Sequence, residues 1–373
     1  MDHIAEKLSY KEKVRDTYKK YERYRDPGIF VAGFVFDLFT VSRIDDLLSI
    51  LQQAAYLFII SIMISLEIYD QYNPFNWRPK IQKVWSYRNF IMHFFFGSLL
   101  SAYAIFYFKS ASLVTSFAFL GFMVTLLVAN EFSRVQSSGP LMRMGLLSLC
   151  LVSYFGYLVP IIFGHTGPIP FILAQSLTIA YHAGIFFYLK KKLGPHVTSF
   201  KPLAQVVLLP CLLVQGIFLG LYMTSLIPPV PLSAQYMGIY HSVQKDNDQY
   251  ELGYTRSFWK FWQNGDQTFA SRPGDKIVLF TRLFSPARFK EDINIRWQFK
   301  NVKGNWETHD VIPLKISGGR DEGFRGYAYK GNYSLGSWRV QLETQDKREI
   351  SRVYFDVIED TSLEERDFRF DVQ

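Results

Sequence analysis

The residues of this 373-residue chain best suited to chemistry are ionisable groups set among apolar neighbours. Asp37 stands between Phe34, Phe36 and Phe39, with Arg43, Asp45 and Asp46 close behind it. A charge in such a setting is costly unless it is paired or hydrated. The cluster therefore reads as a proton or cation site, a metal-binding acidic group, or an ion pair or cap joining two apolar segments. The last needs the fewest assumptions, because a carboxylate beside Arg requires no further chemistry. Asn130 and Glu131 close another apolar segment, and His182 lies eight residues before the basic run Lys190–Lys192. A Glu/His relay is geometrically allowed there, as are plain interhelical hydrogen bonds. His93 and His182 lack close ligand spacing, so no metal site is expected.

A second group of candidates lies near the C-terminus. The run Ser317–Tyr327 combines glycines, which permit close backbone approach, with Arg320 and Arg325, whose planar forks suit a carboxylate or phosphate. Trp306, Tyr327 and Trp338 add stacking surface for a sugar or peptide. The competing reading is a tight hairpin whose arginines pair with Asp321 or Glu322 and whose tryptophans fill a core.

No GxSxG, HExxH, Walker-type or GxGxxG motif is present, so hydrolase, zinc-protease and nucleotide chemistry have no support in the sequence. No cofactor is expected. Cys150 and Cys211 both sit in apolar segments and leave no disulfide framework for the C-terminal half. The net charge of +8 is carried by residues 1–232, with 20 Lys+Arg against 12 Asp+Glu, whereas residues 233–373 carry 21 of each. The basicity reads as membrane topology, and no nucleic-acid partner is expected.

The elements that must hold these residues fall into two halves. Residues 1–27 have helix-forming composition, suited to a cytoplasmic juxtamembrane helix ended by Pro27 and Gly28. Their charge offers no cleaved secretory signal, which leaves targeting to the first apolar segment. Seven apolar segments follow, near 28–42, 46–69, 89–108, 111–131, 144–163, 168–189 and 203–227. All but the first have the length a helix needs to cross a bilayer. Ten Lys/Arg occupy the loops after segments two, four and six, and only Arg43 and Lys109 occupy the opposite loops. The positive-inside rule places the basic loops in the cytoplasm and the C-terminal half outside. Pro228, Pro229 and Pro231 stop the last apolar helix, so 228–249 is expected to be a stiff linker. From 250 to 360, strand-like runs at 276–284, 293–299, 306–316, 324–329, 337–342 and 350–358 predict an antiparallel sandwich of immunoglobulin-like size. Residues 361–373 read as a charged tail.

The segments PPVPLSAQYMGIYH, PGDKIVLFTRLFSP, INIRWQFKNVKGNW, ISGGRDEGFRGYAYKGNYSLGSWRVQLET and RVYFDV resemble bacterial membrane proteins with a C-terminal DUF2914 domain. FVFDLFTVSRID and VANEF are similar to parts of the membrane half of that class. The resemblance implies a bacterial inner-membrane protein with a β-rich module, and it carries over no catalytic residue.

The sequence thus predicts an α + β chain: a seven-span transmembrane helical bundle over 28–227, followed by an antiparallel, immunoglobulin-like β-sandwich over 250–360. The expected function is non-enzymatic, a periplasmic sandwich that binds an envelope protein, a glycan or an anionic ligand while the bundle rests in the lipid bilayer. The alternative is an intramembrane enzyme or transporter using Asp37, Asp45, Asp46, Glu131 and His182.

Overall fold

The computed structural model describes residues 44–74, 78–112, 116–117, 119–121, 123, 125, 139–194, 198–247, 249–318, 323–362 and 364–373. Six helices are described: α1 (Leu47–Tyr72), α2 (Pro79–Ser86), α3 (Arg88–Lys109), α4 (Pro140–Phe163), α5 (Pro168–Leu193) and α6 (Lys201–Met223). Five of them, all but α2, are long and apolar enough to cross a membrane. At 22 to 26 residues each, they run about 33 to 39 Å at 1.5 Å per residue, enough for a hydrocarbon core of about 30 Å. The expected segment 28–42 and most of 111–131 lie outside the described residues, so five candidate spans stand where seven were expected.

Helix ends follow local chemistry. Asp46 caps α1, its Oδ2 accepting from the Ser49 amide at 2.9 Å and from the Ser49 hydroxyl at 2.7 Å. Pro140 and Pro168 open α4 and α5, where a missing N–H costs nothing. Gly164, at φ +76°, closes α4 in the left-handed conformation. Lys190, Lys191 and Lys192 fill the last turn of α5 and complement the helix dipole.

The chain divides into two compact units. The first comprises Met1–Ile105, Leu120–Tyr154 and Thr178–Gln215. Its helices carry buried and part-buried polar contacts. Arg143 pairs with Glu67 and donates to Asn89 Oδ1 at 3.1 Å, Tyr181 donates to Ser61 Oγ at 2.9 Å, and Gln215 donates to Ser148 Oγ at 3.3 Å.

The second unit comprises Phe106–Phe119, Phe155–Leu177 and Gly216–Gln373. Its eleven described strands form three sheets. The middle sheet, in order β1-β5-β8, joins β1 (Ser233–Tyr240), β5 (Ile277–Phe284) and β8 (Phe324–Lys330). A five-stranded sheet, in order β4-β10-β9-β6-β7, joins β4 (Thr268–Ser271), β10 (Glu349–Glu359), β9 (Gly336–Thr344), β6 (Lys290–Lys300) and β7 (Trp306–Ser317). A small sheet, in order β11-β3-β2, joins β11 (Arg369–Val372), β3 (Gln249–Tyr254) and β2 (Ser242–Asp246).

Alternation of side chains sets the layers. Met237, Ile239, Ile277, Leu279 and Leu283 of the middle sheet bury against Ile293, Ile295, Trp297, Trp338, Val340, Leu342, Phe355 and Val357 of the five-stranded sheet. The opposite face of the middle sheet buries Tyr240, Val278 and Phe280 with Leu252 of the small sheet. β5 is therefore covered on both faces over its first half, which is why IVLF reads as a continuous apolar run before Thr281 and Arg282.

Three expectations are corrected. Residues 228–249 are not a linker beyond Leu232, because β1 pairs with β5 along its length and β2 pairs with β3. The tail is anchored, since β11 pairs with β3 from Arg369↔Tyr254 to Val372↔Glu251. The sheets are not wholly antiparallel, because β4 runs parallel to β10.

Candidate binding surface and its mount

Within the second unit, the segments that end the helices meet the base of the sandwich through buried carboxylates. Thr166, between α4 and α5, donates its amide N–H to Glu291 Oε2 at 2.6 Å and its hydroxyl to Oε1 at 3.2 Å. Beside it, the Gly164 carbonyl accepts the Lys290 amide at 2.9 Å, and a Cβ on Gly164 would stand 2.8 Å from the Arg288 carbonyl oxygen. Ser112, just past α3, donates to Glu349 Oε1, while Gln341 and Arg352 hold the other oxygen. Tyr222, near the end of α6, donates to Asp346 Oδ2 at 2.7 Å, stacks on Phe171 at 3.9 Å and lies under the Arg348 guanidinium at 5.1 Å.

Burial pushes the Glu291 carboxyl up, opposed by the Thr166 hydrogen bonds and by the charges of His165 and Arg348. Burial acts the same way on Asp346, but the Arg348 charge and the hydrogen bonds from Thr344, Tyr222 and Arg348 outweigh it and hold that carboxyl low. Each carboxylate thus accepts one residue's donors from a helix-ending segment, Thr166, Ser112 or Tyr222.

On this mount the segment between β3 and β4 exposes four large aromatics in five residues: Phe258 at 78%, Trp259 at 54%, Phe261 at 82% and Trp262 at 61%. Their rings touch one another, Trp259 and Trp262 at 5.6 Å and Phe261 and Trp262 at 5.3 Å, with Lys260 over Trp259 at 5.5 Å. The base is pinned on both sides. Both oxygens of the buried Asp266 accept the Thr255 amide, at 3.1 and 2.9 Å, and the Asp266 amide donates to Ile239 at 2.7 Å. Asn264 donates to the Met237 carbonyl at 3.3 Å. Gly265 bridges to Ile239 at φ +66°, where a Cβ would stand 2.0 Å from the Ile239 oxygen, so no other residue fits. Arg256 lies 3.8 Å from the Tyr254 ring centre and pairs with Asp371 of β11. The segment thus combines a hydrogen-bonded base with an exposed aromatic tip.

The residues singled out from the sequence are dispersed. Asp37, Arg43, Asn130, Glu131 and Arg320 lie outside the described residues. Asp46 is the α1 cap, and Asp45 precedes it in the turn. His182 is buried with Nδ1 3.0 Å from the Thr178 carbonyl. Trp338 is 1% exposed, its Nε1 donating to the Ser334 carbonyl at 2.8 Å and its ring packed by Phe299, His309 and Lys330, so it presents no face to a ligand. Trp306 lies on the outer face of the five-stranded sheet against Tyr354 and Arg339. Tyr327 lies on β8 of the middle sheet against Tyr250 and Tyr329, and Arg325 is half-buried on the same strand. Among the described residues, the tryptophans and Tyr327 do not converge on one site.

Two features escaped the sequence reading. FWKFW sits outside any alternating run, and a turn cannot point four aromatics inward. That composition was a usable signal. The Glu67, Arg143 and Asn89 contacts gave none, since Arg143 counts equally well as a loop cation.

Residues 290–357 match the family described as "Protein of unknown function (DUF2914)", which places that domain from β6 to β10. No curated protein matches the chain. Among solved structures, an immunoglobulin-like protein from Pseudomonas aeruginosa aligns at 12% identity over 35% of this chain and 98% of its own, with a TM-score of 0.22. A β-glucosidase from Kluyveromyces marxianus aligns at 10% identity over 33% of this chain and 14% of its own, with a TM-score of 0.17.

Proposed function

We propose that this is a non-enzymatic recognition protein of the bacterial inner membrane, whose sandwich faces the periplasm and binds an envelope protein or glycan through the Phe258–Trp262 segment. The observation that carries the reading is the exposed aromatic tip on a pinned base, since soluble domains rarely leave so much aromatic surface uncovered without a partner. Aromatic faces with one interleaved lysine suit sugar rings and peptide side chains. Orientation draws support from charge. Arg78, Lys80, Lys83, Arg88, Arg143, Lys190–Lys192 and Lys201 gather at helix ends remote in sequence from the sandwich contacts, while Lys109 alone precedes one of them.

The test is to replace Trp259 and Trp262 together by Ala in the full chain. Recovery of the co-isolated envelope component in mild detergent should fall at least about tenfold, corresponding to about 1.4 kcal/mol. Unchanged recovery would overturn the proposal.

A second reading, an intramembrane transporter or enzyme, draws on the contacts of the buried Arg143 with the half-buried Glu67 and the exposed Asn89. Loss of proton or ion flux from proteoliposomes on Glu67→Gln would favour it.

A further inference from the structure

Between α1 and α5, inside the first unit, runs a groove of about 730 Å³. Its residues recur at helical spacing on both walls, from Phe58 to Tyr69 on α1 and from Tyr181 to Lys192 on α5. Eleven helical rises on each wall give it a length of about 16 Å. The two ends differ. At one end the Tyr181 hydroxyl donates to Ser61 Oγ at 2.9 Å and ties the helices together. At the other stand Tyr69 and Lys192, in the turn that also carries Lys190 and Lys191. Between them the walls are mainly apolar, carrying Ile62, Leu66, Ile185 and Leu189, and the one serine of that stretch, Ser65, donates its hydroxyl to the Ser61 carbonyl at 2.7 Å. Among the described lining residues Lys192 is the one charged side chain.

We propose that this groove binds one anionic phospholipid, its acyl chain lying along the mainly apolar wall and its headgroup phosphate on Lys192. The polarity gradient matches that amphiphile and not a wholly apolar one, because a lysine at the mouth is best satisfied by a phosphate at headgroup depth. Phe58, Ile62 and Tyr188 are exposed along the open side, which lets the chain enter sideways from the bilayer. Gly184 lies in the groove wall, and a Cβ built there meets nothing within 4 Å. A larger side chain at that position would occupy the acyl chain's space without striking the protein.

The test uses the full chain, delipidated in mild detergent and offered phosphatidylglycerol or phosphatidylcholine with identical acyl chains, with retained lipid counted by native mass spectrometry. Wild type should retain phosphatidylglycerol about fivefold over phosphatidylcholine, the preference one lysine near a headgroup supplies. Lys192→Gln should erase that preference while leaving retention of phosphatidylcholine unchanged. Gly184→Leu should reduce retention of both lipids. Should Gly184→Leu fail to fold, Ile62→Trp fills the same space from the other helix. Equal retention of the two lipids by wild type, or wild-type retention by the groove-filling variants, would overturn the proposal.

Discussion

Glu291 accepts both the amide N–H and the hydroxyl of Thr166, at 2.6 and 3.2 Å, across 125 positions of sequence. Both residues are buried. With the Ser112 to Glu349 and Tyr222 to Asp346 hydrogen bonds, this contact ties the helix-ending segments to the base of the sandwich. Replacing Glu291 by Ala strands a buried amide, and should lower the stability of the full chain by about 1 to 3 kcal/mol. Glu291→Gln keeps one acceptor and should cost less. Thermal melts and hydrogen exchange at the Thr166 amide read both effects. An Ala variant that melts with wild type and leaves that amide protected would show the contact to be dispensable.

The pairing of β1 with β5 and of β11 with β3 sets the smallest piece that can fold alone. A fragment spanning 245–360 lacks Met237, Ile239 and the whole of β1, exposing one edge of β5. It should give a broad, non-cooperative melt, whereas 232–373 should unfold in one sharp transition. Circular dichroism during heating distinguishes them, and equal cooperativity in the two fragments would contradict the assigned role of β1.

Much of the sandwich was legible in the sequence, and the reasons are particular. Every strand from β5 to β10 coincides with a run rich in β-branched and aromatic residues, because those strands each have at least one buried face. β2 and β11 are short edge strands of a small sheet, β2 with polar outer positions and β11 with only four residues, so SVQKD and RFDV look like turn and tail. β4 has four residues and pairs only with β10, too little for any period to emerge. β1 was hidden by its neighbours, since the prolines at 228, 229 and 231 argue for extended chain and say nothing of Ser233 onward. The mount could not be read at all. Its carboxylates and donors are 124 to 237 positions apart, and only the fold brings them together.

His241 and Asp266 form a buried pair whose pH responses oppose each other, with His241 Nε2 3.5 Å from Asp266 Oδ2. Burial pushes Asp266 up to about 6, against hydrogen bonds from Thr255 and Arg256. Burial and then the Arg366 charge push His241 down to about 4, against Asp275 and Asp360. A raised carboxyl contributes stability that is full below its unfolded value of about 3.9 and is lost as pH rises toward 6. A lowered imidazole does the reverse, with stability lost as pH falls from about 6.5 to 4. Asp266→Asn should therefore leave stability rising with pH over that interval, by about 1 to 3 kcal/mol, and His241→Gln should leave it falling. Urea midpoints of the 232–373 fragment between pH 4 and 6.5 test this, and profiles parallel to wild type would refute it.

Trp338 and Trp306 should separate sharply on truncation. Trp338 fills the core and offers its ring to the buried Lys330, so Trp338→Ala should cost about 3 to 5 kcal/mol. Trp306, on the outer face against Arg339 and Tyr354, should cost about 1 kcal/mol or less. Equal losses in a chemical denaturation series would place both rings in one environment, contrary to the fold.

The proposed recognition role of the Phe258–Trp262 segment is tested most directly by a photo-activated cross-linker placed at Phe261 in living cells, with the same group at the exposed hairpin residue Val302 as control. Irradiation should yield one discrete adduct with an envelope protein or glycan from position 261 and none from position 302. No adduct at 261, adducts with lipid alone, or the same products from both positions would contradict the assignment of this segment as the binding surface.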